Sequence, residues 1–281
     1  RPVGNLGPLT NRYTCLQEGR KLVAIEPLTG ATLWSRNDVE PGSDLFGDDE
    51  MLFVVAPNAV EALVLRPTDG AELGRRPIPI GNNRMATVGR HVLEFAQTSI
   101  GSELKYLIRL QDIWQEKTIW ERTFGRAQCQ VVGAEAVGIV EPGHFTLLNM
   151  TDGKALVDSA IEREEATNEV YVLPSHDRYL LVTSGPYQNE NGVFLRALPG
   201  GMTNNPLVNG YVHSFDRKTG QKQWSKQVHK QGLFLDQPSE LPVLCFSTMV
   251  YERGRQNAQL RATTHVTMLC LDKRNGRTIY Q

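Results

Sequence analysis

The sequence lacks the patterns that announce most kinds of chemistry. Its four cysteines, Cys15, Cys129, Cys245 and Cys270, include no C-x-x-C pair, which argues against a zinc ribbon, a redox motif or a disulfide scaffold. Cys245 and Cys270 sit in apolar, strand-like runs and read as buried free thiols. There is no H-E-x-x-H, no G-x-S-x-G, no Walker A loop and no Rossmann glycine fingerprint. The six histidines include no pair at the short spacings that chelate a metal. No apolar run approaches the roughly 18 residues needed to cross a bilayer as a helix, so no membrane span is expected in the chain itself. With 30 basic and 31 acidic residues the formal net charge is -1, and no global field recruits nucleic acid. Amphipathic helix periodicity beyond two turns is also missing; the best stretch, residues 159–169, reads as a polar loop or a single helical turn.

What is present is a globular composition, 40% hydrophobic and 22% charged, together with a repeat. The frame is an acidic residue, a glycine four positions later and an aromatic four positions after that. It is complete in AIEPLTGATLW (Glu26, Gly30, Trp34), SFDRKTGQKQW (Asp216, Gly220, Trp224) and CLDKRNGRTIY (Asp272, Gly276, Tyr280). Partial copies are VLRPTDGAELG (Arg66, Gly70, Gly74), LQDIWQEKTIW (Asp112, Glu116, Trp120) and LLNMTDGKALV (Asn149, Gly153, Val157). The central positions are 40, 46, 37, 67 and 56 residues apart, at or above the ~40–50 residues of a four-stranded propeller blade.

Each copy encodes a hairpin. A short β-branched run such as KLVAI (21–25) or VTMLCL (266–271) leads into T-G, D-G or N-G, where the glycine tolerates positive φ. The acidic or Asn side chain at the turn entry can accept backbone N–H bonds from two or three residues on. Alternating runs upstream, such as DEMLFVVAP (49–57) and DRYLLVTS (177–184), supply the further strands that a lone hairpin needs. The expectation is an all-β chain, a β-propeller of four-stranded antiparallel blades with about six to seven blades visible. It forms a single domain over 1–281 with repeats centred near Gly30, Gly70, Glu116, Gly153, Gly220 and Gly276.

This frame resembles the PQQ-like repeat of quinoprotein-type β-propellers, over nearly the whole chain, from Arg20 to Tyr280. That family, WD40-like in architecture, includes quinone-dependent alcohol dehydrogenases and a bacterial lipoprotein that assists outer-membrane assembly. The resemblance implies a tryptophan-docking motif, in which the aromatic packs on the neighbouring blade near its glycine. Trp34, Trp120 and Trp224 fit that role, with Tyr280 as a substitute. Gly74 and Val157 do not, so the second and fourth blades are expected to dock more loosely. Blade-docking residues are accordingly Trp34, Gly30, Trp120, Trp224, Gly220, Asp216, Tyr280, Gly276 and Asp272.

The adjacent cysteines and calcium-binding acidic set of the dehydrogenases have no recognisable counterpart, so no catalytic, cofactor or metal residue carries over. The resemblance therefore implies a non-catalytic scaffold or protein-binding module, with no cofactor expected and a periplasmic or cell-envelope setting. The alternative is the propeller part of a quinone-dependent or other oxidoreductase whose active site lies elsewhere, with PQQ and calcium as its cofactors. The chain opens at Arg1 without Met or a signal-like run and is expected to be a fragment of a longer protein, with a membrane anchor conceivable outside it.

The acidic cluster Asp44, Asp48, Asp49 and Glu50 lacks calcium-loop spacing and reads as a solvated turn. The Gly-, Asn- and Pro-rich segment 184–210 lengthens the widest repeat step and reads as an inserted loop. It carries Tyr187, Phe194, Leu195, Arg196 and Met202, a mixture suited to a protein partner.

Overall fold

The computed structural model describes residues 4–79, 83–100, 103–162, 167–188, 193–198, 205–256 and 259–281. Among them there is no α-helix: the chain forms six sheets of four antiparallel strands each. The first sheet is β1 (Gly4–Leu9), β2 (Thr14–Glu18), β3 (Lys21–Ile25) and β4 (Thr32–Arg36) in sequential order. The second is β5 (Asp44–Gly47), β6 (Leu52–Val55), β7 (Glu61–Leu65) and β8 (Glu72–Pro77). The third is β9 (Arg84–Val88), β10 (His91–Ile100), β11 (Glu103–Asp112) and β12 (Lys117–Phe124). The fourth is β13 (Gln128–Val132), β14 (Ala136–Glu141), β15 (His144–Asn149) and β16 (Ala155–Ala160).

The last two sheets break the simple order. After β17 (Glu169–Pro174) and β18 (Arg178–Ser184), the chain inserts β19 (Val193–Ala197) before β20 (Leu207–Asp216), β21 (Lys222–Gly232), β22 (Val243–Gln256), β23 (Gln259–Asp272) and β24 (Thr278–Tyr280). The fifth sheet is ordered β17-β18-β20-β21 and the sixth β19-β22-β23-β24. Segment 184–210 is therefore not a loop throughout, contrary to expectation. Its Val193–Ala197 stretch crosses to the edge of the sixth sheet and pairs with β22, Phe194 opposite Tyr251 and Arg196 opposite Met249. The expected loop at 159–169 likewise contains the end of β16 and the first residue of β17.

The chain divides into two compact units, one of Arg1–Gly125 with Met150–Gly153 and one of Arg126–Asn149 with Lys154–Gln281. Within each, sheets pack face to face through strand alternation. In β6, Leu52 and Val54 join one core with Tyr13, Leu22 and Leu65, while Phe53 and Val55 join another with Phe46, Val64 and Val92. Both faces are covered, so β6 is a continuous apolar run. In the second unit, Phe145, Leu147, Val172 and Phe215 form one core, and Leu180, Val212, Leu244, Phe246 and Leu271 the next. The first sheet keeps Leu6 exposed at 72%, with Leu16 opposite it, and the sixth keeps Val266 and Met268 exposed at 51% and 44%.

Candidate functional site

The repeat turns share one backbone geometry. In four copies the glycine N–H donates to the carbonyl of the residue four positions earlier, at 2.9 Å for Gly30, Gly70 and Gly220 and 2.8 Å for Gly276. Its φ lies between 65° and 72° in the five copies that have glycine. Glu116 takes the same left-handed conformation, φ 54°, without being glycine. The entry carboxylates cap the turns. Asp216 accepts from the N–H groups of Lys218 (2.9 Å) and Thr219 (2.8 Å), and Asp272 from that of Arg274 (2.8 Å). Glu26 accepts from the Thr29 hydroxyl and the Leu28 and Thr29 N–H groups. These bonds favour the charged form and hold all three carboxyls below their usual range.

Three tryptophans lie on three of these turns. Trp34 donates its Nε1–H to Pro67 O at 2.6 Å, Trp120 to Met150 O at 2.8 Å and Trp224 to Lys273 O at 2.9 Å. Each ring covers a glycine so closely that a Cβ there would come within 2.7 Å at Gly70, 2.7 Å at Gly153 and 2.6 Å at Gly276. Glycine is needed twice at these positions, for its positive φ and for the absent Cβ. Gly30 has the same φ but open space within 4 Å, and Tyr280 is 61% exposed.

The copies without an aromatic differ from the looser contact expected of them. In the second sheet Arg76, two residues beyond Gly74, takes over. Its guanidinium lies 4.1 Å from the centroid of the Trp114 ring and donates to Trp114 O at 3.1 Å. In the fourth, Val157 is buried, and a Cβ on Gly220 would collide with the carbonyl oxygen of Leu156. Without a ring between them, the glycine turn rests directly on that backbone. Arginines two residues past the aromatic slot were missed as a signal, although Arg36, Arg76 and Arg122 recur there. Arg36 donates to Gly70 O at 2.9 Å and Arg122 to Gly153 O at 3.4 Å.

The acidic turn at 44–50 is held by arginines: Asp44 pairs with Arg84 at 2.5 Å, and Arg90 bridges Asp48 (2.5 Å) and Glu50 (2.7 Å). Among the described residues no cluster of three or more His, Cys, Asp or Glu side chains could hold a metal ion. One polar cluster around a buried histidine has no counterpart in the repeat. His213, fully buried on β20, has Nδ1 3.0 Å from both Ser225 Oγ and Glu162 Oε2, with Lys222 on the far side of Glu162 at 3.6 Å. Its Nε2 has no partner. Burial pushes its pKa down to about 4, outweighing the attraction of Glu162.

Of the segment expected to meet a partner, Phe194 (49%) and Arg196 are exposed on β19, and Tyr187 is exposed before it. Leu195 is half-buried, and Met202 lies outside the described residues. Phe194 shares a sheet face with the exposed Tyr251, Val266 and Met268, and with Tyr280 at its far edge.

The geometry defines an all-β chain of six four-stranded antiparallel sheets. No family model and no curated protein sequence matches it. Among solved structures, BamB from Moraxella catarrhalis is similar at 15% identity and a TM-score of 0.39, over 94% of this chain and 80% of that one. The computationally designed Ika8 protein is similar at 13% identity and a TM-score of 0.37, over 97% and 94%.

Proposed function

We infer that the six sheets are the blades of one β-propeller of the PQQ-like repeat type, spanning 1–281, and that it serves as a non-catalytic, protein-binding scaffold in a bacterial cell envelope. In this reading Trp34, Trp120 and Trp224 fasten each blade to the turn of the next, and Arg76 does so where the aromatic is missing. Asp216, Gly220, Asp272 and Gly276 shape the turns that receive or flank them. Tyr280 and Gly30 are the same parts on the last and first blades.

The observation that carries the binding role is the exposed face of the sixth sheet. Phe194, Tyr251, Val266 and Met268 form an apolar patch beside Arg196, the mixture that interface centres favour. The strand that brings Phe194 and Arg196 there comes from the segment that lengthens the repeat, and it completes the sixth sheet from a position in the chain that precedes the fifth sheet's last two strands.

The test is recovery of partners from a bacterial envelope extract by the immobilised chain and by a Phe194→Asp/Val266→Asp variant. Partners retained by the parent and lost by the variant, with the far-ultraviolet circular dichroism unchanged, support the reading. An identical set of bound proteins for both refutes it.

A further inference from the structure

We propose that Cys245 and Cys270 form a thiol–disulfide site, which a low-molecular-weight disulfide closes into a cross-strand disulfide between β22 and β23. The two residues are directly opposite in the antiparallel register, and their Sγ atoms are 3.9 Å apart.

The kind of register position decides whether such a bond can form. The N–H of Cys245 donates to Gln237 Oε1 at 2.9 Å, and its carbonyl accepts from the Phe234 N–H at 3.3 Å. Both backbone groups therefore point away from β23. Cys245 and Cys270 are a non-hydrogen-bonded pair, the closer of the two antiparallel kinds, with Cα atoms about 4.5 Å apart. That falls inside the ~4.4–6.8 Å range of disulfides, and side-chain rotation supplies the remaining approach of the sulfurs.

The same register singles out this pair. Cys15 is fully buried, while Cys129, Cys245 and Cys270 are half-buried, and only the last two face each other. Cys129 lies opposite Ile139, with its thiol pushed up to about 12 by burial and by Glu141. The Cys245 thiol is also raised, to about 11, by burial and by the Cys270 thiol, while Lys273 acts in the opposite direction. The exchange is consequently slow at neutral pH and faster in mild base.

The chemistry is two successive exchanges. One cysteine thiolate attacks a sulfur of the small disulfide, forming a mixed disulfide and expelling one small thiolate. The second cysteine thiolate then attacks the protein sulfur, forming the Cys245–Cys270 bond and expelling the second thiolate. Two cysteine thiols are oxidised, one small disulfide is reduced to two thiols, and the two cysteine protons pass to the leaving groups. The new bond ties β22 to β23 on the face that carries Met268, Val266 and Tyr251.

The test uses the full chain, held folded in a glutathione buffer with the oxidised form in excess, then quenched by alkylation and mapped by mass spectrometry. The expected product has lost two hydrogens, with one cross-linked peptide pair containing Cys245 and Cys270, and with Cys15 and Cys129 alkylated. Cys245→Ser and Cys270→Ser should each stop at a glutathione adduct on the remaining cysteine. In guanidinium chloride the selectivity for this pair should disappear, because the register that creates it is gone. Four alkylated cysteines, a stable mixed disulfide in the parent chain, or cross-links to Cys15 or Cys129 under native conditions would each overturn the proposal.

Discussion

Gly30 and Gly276 provide a controlled comparison for the docking contact. They occupy the same turn position with φ of 72° and 70°, but only Gly276 lies beneath a tryptophan. An alanine at either site pays about 1–2 kcal/mol for the left-handed conformation, offset by about 0.4–1 kcal/mol from a less disordered unfolded chain. Gly30→Ala, with nothing within 4 Å, should therefore lose about 1 kcal/mol. At Gly276 the new methyl meets Trp224 Cε3 at 2.6 Å, and the ring is tethered by its 2.9 Å bond to Lys273 O. Moving it adds about 1–3 kcal/mol of overpacking and weakens that hydrogen bond, so Gly276→Ala should lose about 2–4 kcal/mol in total. Urea unfolding followed by circular dichroism measures both values. Repeating Gly276→Ala in a Trp224→Leu background isolates the contact, and there its cost should fall to that of Gly30→Ala. Equal losses in the parent chain, or an undiminished loss in the Trp224→Leu background, would refute the docking argument.

Other expectations follow from single contacts. Arg76→Met keeps most of the side-chain volume but removes the guanidinium from Trp114, and should cost about 1–2 kcal/mol in the same urea assay. His213 is neutral in the fold, with its pKa depressed to about 4, while the unfolded chain takes up a proton near its ordinary value of about 6.5. Its contribution is fully present above pH ~6.5 and is lost as pH falls toward 4, by on the order of 3 kcal/mol. His213→Phe should flatten stability against pH across that window, and an unchanged slope would contradict the assignment. The depressed turn carboxylates act at lower pH and leave the window to His213. Lys273 occupies a buried slot that holds Ile113 and Met150 in other copies; its ammonium donates to Ser239 O at 3.1 Å, its one hydrogen bond among the described residues, and burial lowers its pKa. Lys273→Met should raise the urea midpoint, by about 1 kcal/mol in stability, and a lowered midpoint would show that the cation is needed there.

The hairpin turns were legible in the sequence because their causes lie within a few residues. An acidic side chain reaches N–H groups two positions on, and in the Glu26 and Asp216 turns three, and a glycine four positions on supplies the positive φ; Glu26–Gly30, Asp216–Gly220 and Asp272–Gly276 needed nothing else. Strand alternation was readable for the same local reason, and the repeat step pointed to about six to seven four-stranded units, of which six sheets form. Which element lies beside which was decided only by tertiary structure. Backbone N–H and C=O groups are alike in every strand, so nothing in VFLRA marks β19 for pairing with β22 in the sixth sheet instead of joining the fifth. The same non-local pairing brings Phe194 to the face of Val266 and Met268, and the register of β22 against β23 sets Cys245 opposite Cys270. The rings of Trp34, Trp120 and Trp224 were visible as a motif, but their cost to a methyl on Gly70, Gly153 or Gly276 depends on distances of tenths of an ångström. Only the packed chain sets those distances, and it put Arg76 over Trp114 and a bare backbone beneath Gly220 where the aromatic pattern had lapsed.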